Sequence, residues 1–194
     1  HRQVLCIVNT RKAAQQIYAL LPAEGSFHLS TLMYPAHRKE VLAVIRQRLK
    51  DGLVCRVVST SLIEAGVDVD FPAVFRGLAG LDSIAQAAGR CNREGKRDPD
   101  ESIVTYFRSE TPIPLLQRIN IKAAIDALQD GRSPGSLDTM QQYFSCLRRH
   151  IGENTDKSGA VKALRDGISG CLFPFKTVAE RFHLIDEASC TVYI

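Results

Sequence analysis

Five short apolar runs, separated by segments with helical periodicity, constrain this chain more than any other feature of its sequence. The runs are rich in β-branched residues, which is typical of strands buried on both faces of a sheet. Strands that alternate with helices form βαβ units, and these units pair into a parallel sheet. We therefore predict an α/β fold with strands over residues 4–8, 27–33, 53–59, 73–75 and 103–107, and helices over 10–21, 35–52, 62–65 and 84–91.

The pattern changes after about residue 110, where Pro112 and Pro114 interrupt it. Beyond the two prolines the apolar residues recur at helical spacing. We predict helices over residues 115–129, 137–149 and 159–166, and a further amphipathic piece that carries Val178, Phe182 and Ile185. The chain thus divides into a sheet domain over residues 1–110 and a helical extension over residues 111–194.

The composition is that of a folded protein, because 45% of the 194 residues are hydrophobic and 24% are charged. No apolar run reaches the roughly 18 residues of a membrane-spanning helix, and no signal-peptide pattern opens the chain. The six cysteines form no CxxC pair, so we predict reduced thiols in a cytoplasmic protein rather than a zinc ribbon. The net charge of +4 permits contact with nucleic acid.

The two ends of the chain have the character of cut ends. His1 almost directly precedes the first buried-type strand, and Thr191–Ile194 have the composition of another strand. We therefore expect this sequence to be a fragment of a longer protein.

Residues 86–95, QAAGRCNREG, are the most informative segment of the chain. If the segment is helical, Gln86, Arg90 and Arg93 are spaced by four and three residues and share one face. Two guanidinium groups and an amide on one face suit phosphate oxygens, which arginine binds through paired hydrogen bonds. A solvated basic helix end is the alternative interpretation.

Residues 57–72 follow the third predicted strand, and open α/β sheets bind ligands at the carboxyl ends of their strands. Ser59 and Thr60 offer hydroxyls and amides to a phosphate oxygen, and Asp68 or Asp70 can accept a hydrogen bond from a ribose hydroxyl. Serine and aspartate also cap helices and form turns, so a capped loop is the alternative.

Two predicted helix starts also carry polar and basic residues. Asn9, Thr10 and Arg11 stand where the first strand gives way to a helix, and His37 and Arg38 open the next helix. A helix N-terminus with such neighbours can hold a backbone phosphate. Each segment alone also fits a plain helix cap.

Several motifs of complete catalysts are absent from the sequence. There is no GxxxxGK[ST] loop for a β-phosphate and no DExx sequence for Mg²⁺. HExxH, GxSxG and Cys/His metal spacings are absent as well. A chain that offers arginines without a phosphate-binding loop fits one half of a two-lobed ATPase, in which the other lobe binds the nucleotide.

In their order along the chain, these segments resemble motifs IV, V and VI of the second RecA-like domain of superfamily 2 helicases. Residues 4–11 resemble motif IV, residues 58–68 motif V, and residues 86–93 the QxxGRxxR form of motif VI. The longer stretches IEAGVDVDFP and GLDSIAQAAGRCNREG are similar to the helicase-nuclease of type I CRISPR systems. The helices after about residue 108 resemble the linker of that family by their position.

The resemblance implies a RecA-like parallel sheet flanked by helices, and it implies residue roles. Arg90 and Arg93 would be arginine fingers that act on ATP bound to the first lobe, and Gln86 would couple the nucleotide state to closure of the cleft. Asp68, with Gly66 and Glu64, would lie at the nucleotide. The phosphates of a single DNA strand would be held by Asn9, Thr10, Arg11, His37, Arg38, Ser59 and Thr60.

The same resemblance implies the ligands and partners of the parent protein. ATP with Mg²⁺ would be bound mainly by the first lobe, with nothing held tightly by this chain. Single-stranded DNA and an RNA-guided surveillance complex of the Cascade type would be its partners, in antiviral defence, and no membrane is implied. Because the family's HD-type nuclease and phosphate-binding loop lie outside this sequence, the chain alone is predicted to hydrolyse no ATP and to cut no DNA.

Three alternatives stay open. One is another superfamily 2 helicase that acts on RNA or on a repair intermediate. A second is a small-molecule Rossmann-type binder, which predicts a glycine-rich loop after the first strand, where this chain has Asn9-Thr10-Arg11-Lys12. A third is a nucleic-acid-binding module that never meets ATP.

Overall fold

A computed structural model describes residues 1–64, 66–108, 112–152 and 156–182 of the chain. Five parallel strands form one sheet, in the order β2-β3-β1-β4-β5. The strands are β1 (Gln3–Ile7), β2 (Ser26–Leu29), β3 (Cys55–Ser59), β4 (Ala73–Gly77) and β5 (Ile103–Phe107). The predicted parallel α/β sheet is confirmed.

Three helices connect the strands: α1 (Arg11–Ala19), α2 (Pro35–Lys50) and α3 (Leu81–Ala88), with a short 3-10 turn at Ser61–Ile63. The first two have a local cause at their N-termini. The Oγ1 atom of Thr10 accepts a hydrogen bond from the backbone N–H of Ala13, 3.1 Å away, and so caps α1. Pro35 occupies the first turn of α2, where its missing N–H costs no helical hydrogen bond.

Both faces of the sheet are covered. Helices α2 and α3 bury one face, where Ile45 and Ala87 pack with Leu5, Ile7 and Val57. Helix α1 covers the other face through Ala13 and Ala14, which pack with Val8 and Val58. Burial on two faces explains why the strands read as continuous apolar runs.

All five carboxyl ends lie at one edge of this parallel sheet, which we call the carboxyl edge. Backbone hydrogen bonds join neighbouring loops there: Val8 N–H donates to the carbonyl of Ser59 at 2.9 Å, and Thr60 N–H to that of Leu29 at 3.3 Å. The starts of α1 and α2 therefore lie at the same edge as the loop after β3.

The structure divides into two compact units, residues 1–147 and residues 148–194. In the first unit, α4 (Arg118–Ala127) and the first part of α5 (Leu137–Ile151) pack on α3, where Ala124 and Tyr143 meet Leu81 and Ile84. The second unit contains α6 (Ala160–Ser169) and α7 (Phe175–Arg181). The predicted helical extension is confirmed as helical, and the domain boundary at residue 110 stays a prediction.

Some sequence expectations lie outside the described residues, namely those for Ile185, Cys190 and the strand at Thr191–Ile194. No helix in the part of the chain that the structure describes is long and apolar enough to cross a membrane.

Candidate functional site

A buried network joins two of the three motif segments. It consists of Asn9, Glu64 and Arg76, and Arg76 belongs to β4. The Arg76 Nε atom lies 2.7 Å from Glu64 Oε1 as an ion pair, and Arg76 Nη1 donates to Asn9 Oδ1 at 2.7 Å and to the carbonyl of Gly77 at 2.8 Å. Asn9 Nδ2 in turn donates to the carbonyl of Leu78 at 2.8 Å. The loops after β1, β3 and β4 are thus fastened to one guanidinium group.

Burial dominates the electrostatics of this network. The side chains of Arg76 and Glu64 are only 2% and 6% exposed. Burial lowers the pKa of Arg76 and raises the pKa of Glu64, because water no longer solvates either charge, and the mutual attraction of the pair partly offsets both shifts. The carboxylate of Asp82 acts on both groups and raises both pKa values.

The carboxylate of Asp82 also contacts a side chain of helix α5. The hydroxyl of Tyr143 donates to Asp82 Oδ1 at 2.7 Å. A Cβ atom at Gly80 would lie only 2.3 Å from Asp82 Oδ1 and 2.5 Å from the Tyr143 hydroxyl oxygen. A side chain at residue 80, which precedes α3, would therefore force the Asp82 carboxylate and the Tyr143 hydroxyl to shift.

Arg90 fastens motif VI to motif V. Its Nε donates to the carbonyl of Ile63 at 3.1 Å, and its Nη2 to the carbonyl of Glu64 at 2.6 Å. Burial lowers the pKa of Arg90, and the charge of Arg93 lowers it further, while Asp68 acts in the opposite direction. The Arg90 guanidinium therefore holds the turn after β3.

A surface cluster lies further along the same two segments and consists of Asp68, Asp70, Arg93 and Arg97. Arg93 Nη1 is 3.0 Å from Asp68 Oδ1, and these side chains are 42% and 81% exposed. Arg97 Nη1 is 2.6 Å from Asp70 Oδ2, and the backbone N–H of Arg93 donates to Asp70 Oδ1 at 2.7 Å. The cluster presents one accessible guanidinium, that of Arg93, beside an accessible carboxylate.

The helical face predicted for Gln86, Arg90 and Arg93 is wrong, because α3 ends at Ala88. Gly89 is the C-terminal cap of α3. Beyond it Cys91 forms a parallel bridge with Phe71, whose backbone N–H donates to the carbonyl of Arg90 at 2.8 Å. Gln86 is exposed on the last turn of α3, and no described residue hydrogen-bonds its side chain.

The sequence predicted that residues 57–72 lie at the carboxyl ends of the strands, and this position is correct only for the first part of the segment. Ser59 and Thr60 lie at the carboxyl edge, but Asp68 and Asp70 come just before β4 and so lie towards the amino ends of the strands. The segment is also the crossover between two parallel strands, and a crossover must return to the opposite edge of the sheet.

The predicted DNA-contacting residues share the carboxyl edge, but they differ in exposure. Arg11 and His37 are exposed, and Asn9, Thr10 and Arg38 are half-buried. Ser59 is fully buried, and its hydroxyl donates to the carbonyl of Thr60 at 2.9 Å; Thr60 is also buried. Gly66, predicted near the nucleotide, has a left-handed φ of 70° with open space around it.

A groove of about 550 Å³ runs beside the surface cluster, between α2 and residues 94–97. Arg46 and Lys50 of α2 form one wall, and Arg46 Nε donates to the carbonyl of Asp68 at 2.8 Å. Within the described ranges, no group of three or more histidine, cysteine or acidic side chains is placed to hold a metal ion.

Sequence reasoning missed Arg76, Asp82 and Tyr143. The predicted fourth strand ended at residue 75, whereas β4 runs to Gly77 and includes Arg76, which is buried and therefore needs a buried partner. Nothing in the sequence indicated that Tyr143, 61 residues from Asp82, would reach its carboxylate.

Comparison with known proteins gives a family match and several relatives. Residues 1–96 match the model described as CRISPR-associated nuclease/helicase Cas3, C-terminal. A CRISPR-associated nuclease/helicase Cas3 of Haloferax volcanii is 65% identical, with 59% of this chain and 16% of the relative covered. The protein of the same description from Methanothermobacter thermautotrophicus is 27% identical, with 81% and 19% covered. The chain therefore spans less than a fifth of the length of these curated relatives.

Solved structures of similar fold include a crystal structure of T. fusca Cas3 with ATP, with a TM-score of 0.56 and 18% identity over 92% of this chain and 22% of that chain. A chain in a CRISPR RNA-guided surveillance complex before nicking has a TM-score of 0.54 and 18% identity, with 93% and 24% covered. At such identities the likeness concerns the fold alone, and it confirms the predicted fold class.

Proposed function

We propose that the chain, whose residues 1–96 match the model described as CRISPR-associated nuclease/helicase Cas3, C-terminal, is the second motor lobe of an ATP-dependent single-stranded-DNA translocase in type I CRISPR interference. In this role it supplies arginine to ATP on the first lobe and holds the DNA backbone at its carboxyl edge. The observation that carries the proposal is the accessible Arg93 guanidinium, on a turn that Arg90 fastens to motif V.

Arg93 has the properties that an arginine finger needs. In phosphoryl transfer, negative charge spreads over the γ-phosphoryl oxygens, and a planar guanidinium can meet two of them at once. The present partner of Arg93 is the exposed carboxylate of Asp68. Exposed ion pairs contribute only about 0–1 kcal/mol, so exchanging this partner for a phosphate costs little.

Arg90 serves first to position the turn and would become a second finger only after leaving the carbonyls of Ile63 and Glu64. In this proposal Gln86, whose exposed amide lies on the last turn of α3, reports closure of the cleft. Once Arg93 turns to the phosphate, the carboxylate of Asp68 is available to a ribose hydroxyl, beside the open backbone of Gly66.

The carboxyl edge provides the DNA contacts in this proposal. Asn9, Thr10 and Arg11 at the start of α1, and His37 and Arg38 in the first turn of α2, meet the phosphates of a single strand. Ser59 and Thr60 are buried, so their share is to hold the loop between these helix starts. Contacts to the backbone suit a motor that must move along any sequence.

The rest of the parent supplies what this chain does not contain. The first lobe would bind ATP and Mg²⁺, and the parent would unwind and degrade foreign DNA delivered by an RNA-guided surveillance complex in the cytoplasm. We expect this chain alone to hydrolyse no ATP and to cut no DNA. ATPase activity of the pure chain that Arg93→Ala abolishes would contradict this expectation.

The experiment that tests the proposal is single-stranded-DNA-stimulated ATPase of the complete protein, as wild type, Arg90→Ala, Arg93→Ala and, as an exposed control, Arg132→Ala. We expect Arg93→Ala to lower the rate by about 10³-fold or more with DNA binding retained. The control should keep the wild-type rate, because Arg132 is exposed and far from motif VI in sequence.

Two results would overturn the proposal. An unchanged rate in both Arg90→Ala and Arg93→Ala would make these arginines structural. A loss of DNA affinity in Arg90→Ala that is the same with and without ATP would favour the nucleic-acid-binding module.

A further inference from the structure

Arg76 is the largest side chain that the sheet domain buries completely, and it is charged. A buried guanidinium loses its hydration, and this loss is tolerated only where partners surround it. Its Nε faces Glu64, and its Nη1 faces Asn9 and the carbonyl of Gly77. Arg76 Nε and Glu64 Oε1 have no other partner among the described residues.

The two side chains that meet Arg76 come from loops with different proposed tasks. Asn9 precedes Thr10, the cap of α1, at the proposed DNA contact. Glu64 follows the 3-10 turn after β3, and its backbone carbonyl accepts from Arg90 Nη2 at 2.6 Å. An unbroken path of contacts therefore runs from Asn9 through Arg76 and Glu64 to motif VI.

Each contact on this path is short and directional. The three contacts measure 2.7, 2.7 and 2.6 Å. A shift of one loop by a fraction of an ångström would therefore stretch or compress the next contact along the path. Arginine suits this position because its planar fork holds several acceptors in fixed geometry, whereas the ammonium of lysine is a point charge.

We propose that Arg76 is a positioning residue that couples the DNA-holding loop after β1 to the nucleotide-facing loop after β3 through its simultaneous contacts with Asn9 and Glu64. The inference rests on the proposed function, since it presumes that both ligands bind. It requires that nucleotide changes the affinity for DNA and that this change passes through Arg76.

The quantity to measure is the linkage factor, the ratio of the Kd for single-stranded DNA without and with a non-hydrolysable ATP analogue. Linkage is reciprocal, so DNA must change the Kd of the analogue by the same factor, which provides an internal check. A variant that is merely less stable weakens DNA binding with and without nucleotide alike and leaves this ratio unchanged.

The variants are Arg76→Met and, as a control on β3 of the same sheet, Arg56→Met, both in the complete protein. Among the described residues, the Arg56 side chain hydrogen-bonds the carbonyl of Glu24, at 3.5 Å, and no residue of the motif loops. We expect a wild-type linkage factor of about fivefold or more. It should fall to within about twofold of unity in Arg76→Met and stay at the wild-type value in Arg56→Met.

A folded Arg76→Met protein that keeps the wild-type factor overturns the inference. So does a wild-type factor of one with ATP and DNA binding intact, and that result leaves the proposed function standing. Wild-type protein that binds no ATP, or no DNA, overturns the proposed function itself.

A double-mutant cycle keeps the test decisive if Arg76→Met does not fold. Asn9→Ala removes the acceptor of Arg76 Nη1 together with the bond from Asn9 to the Leu78 carbonyl, Glu64→Gln removes the opposite charge of the ion pair, and both leave Arg76 in place. If the coupling passes through Arg76, the double variant should lower the linkage factor no further than the stronger single variant. Reductions that multiply would show two independent effects and would overturn the inference.

Discussion

The buried network and the surface cluster each link motif segments through arginine–carboxylate pairs, yet they differ in solvent exposure. Arg76 and Glu64 are almost fully buried, whereas Arg93 and Asp68 are open to water. A buried pair cannot lose one member without leaving an uncompensated charge. An exposed pair can exchange its partner at little cost, because water solvates what is left. The same chemistry thus fixes a loop in one place and leaves a guanidinium available to a ligand in the other.

The largest expected effect on stability tests the buried side of this comparison. Arg76→Ala should lower the free energy of unfolding by about 3–5 kcal/mol, because it leaves the Glu64 carboxylate buried without its opposite charge. Urea denaturation followed by circular dichroism measures this change. The matched Arg56→Ala should cost less than about 1 kcal/mol. A loss below about 1 kcal/mol in Arg76→Ala would show that the network relaxes and that burial does not separate the two sites.

The next effect concerns the contact between Asp82 and Tyr143. Gly80→Ala places a Cβ within 2.3 Å of Asp82 Oδ1 and 2.5 Å of the Tyr143 hydroxyl oxygen, so these atoms must separate. We expect a loss of about 1–3 kcal/mol in unfolding free energy, as for other overpacked sites. Gly135→Ala is the control, since its Cβ would have no neighbour closer than 3.9 Å. Equal stability of the two variants would argue against a tight contact.

A smaller effect should follow pH at His28, a half-buried histidine. Burial lowers the pKa of His28, whose Nε2 is buried and has no hydrogen-bond partner among the described residues. The unfolded chain therefore binds more protons than the folded chain between the lowered pKa and the ordinary value near 6.5. The stability due to neutral His28 is present above pH 6.5 and is lost as the pH falls through the folded pKa.

The measurement is the unfolding free energy of wild type and His28→Gln at several pH values from 7.5 down to 5, a range chosen to span the ordinary pKa. The wild type should lose more stability on acidification, by less than about 1.4 kcal/mol for each pH unit. His37→Gln is the control, because His37 is exposed at the start of α2. Parallel curves for wild type and His28→Gln would mean that water reaches the ring.

The sheet could be predicted from sequence because each strand carries its own apolar signal. β5 was predicted with the residues that the structure gives it, Ile103–Phe107, and β1 differs by one residue at each end. The end of α3 could not be predicted from sequence, because a contact between distant residues decides it. Phe71 pairs with the chain beyond Gly89, and the helix ends there.

The candidate site shows the same limit. The motif segments could be found from their residues and their order along the chain. Their contacts with one another, Arg90 to Glu64 and Arg93 to Asp68, could not, because these depend on how the crossover between β3 and β4 returns across the sheet. Arg76 lay just beyond the predicted strand 73–75, and its two partners lie 67 and 12 residues before it. Periodicity carries no information over such separations.

The smallest expected effect completes the comparison on the exposed side. Arg93→Ala should change the unfolding free energy by no more than about 0.5 kcal/mol, because it removes only an exposed ion pair and leaves the bond from its backbone N–H to Asp70. Urea denaturation with Arg93→Lys as the charge-retaining control measures it. A loss above about 1 kcal/mol would make Arg93 a structural residue like Arg76, and a lower ATPase rate in that variant would then report a damaged fold. If the unfolding free energy of Arg93→Lys equals that of the wild type while its ATPase rate falls, the loss of rate is due to the guanidinium itself. The lysine variant keeps the charge and lacks only the planar fork.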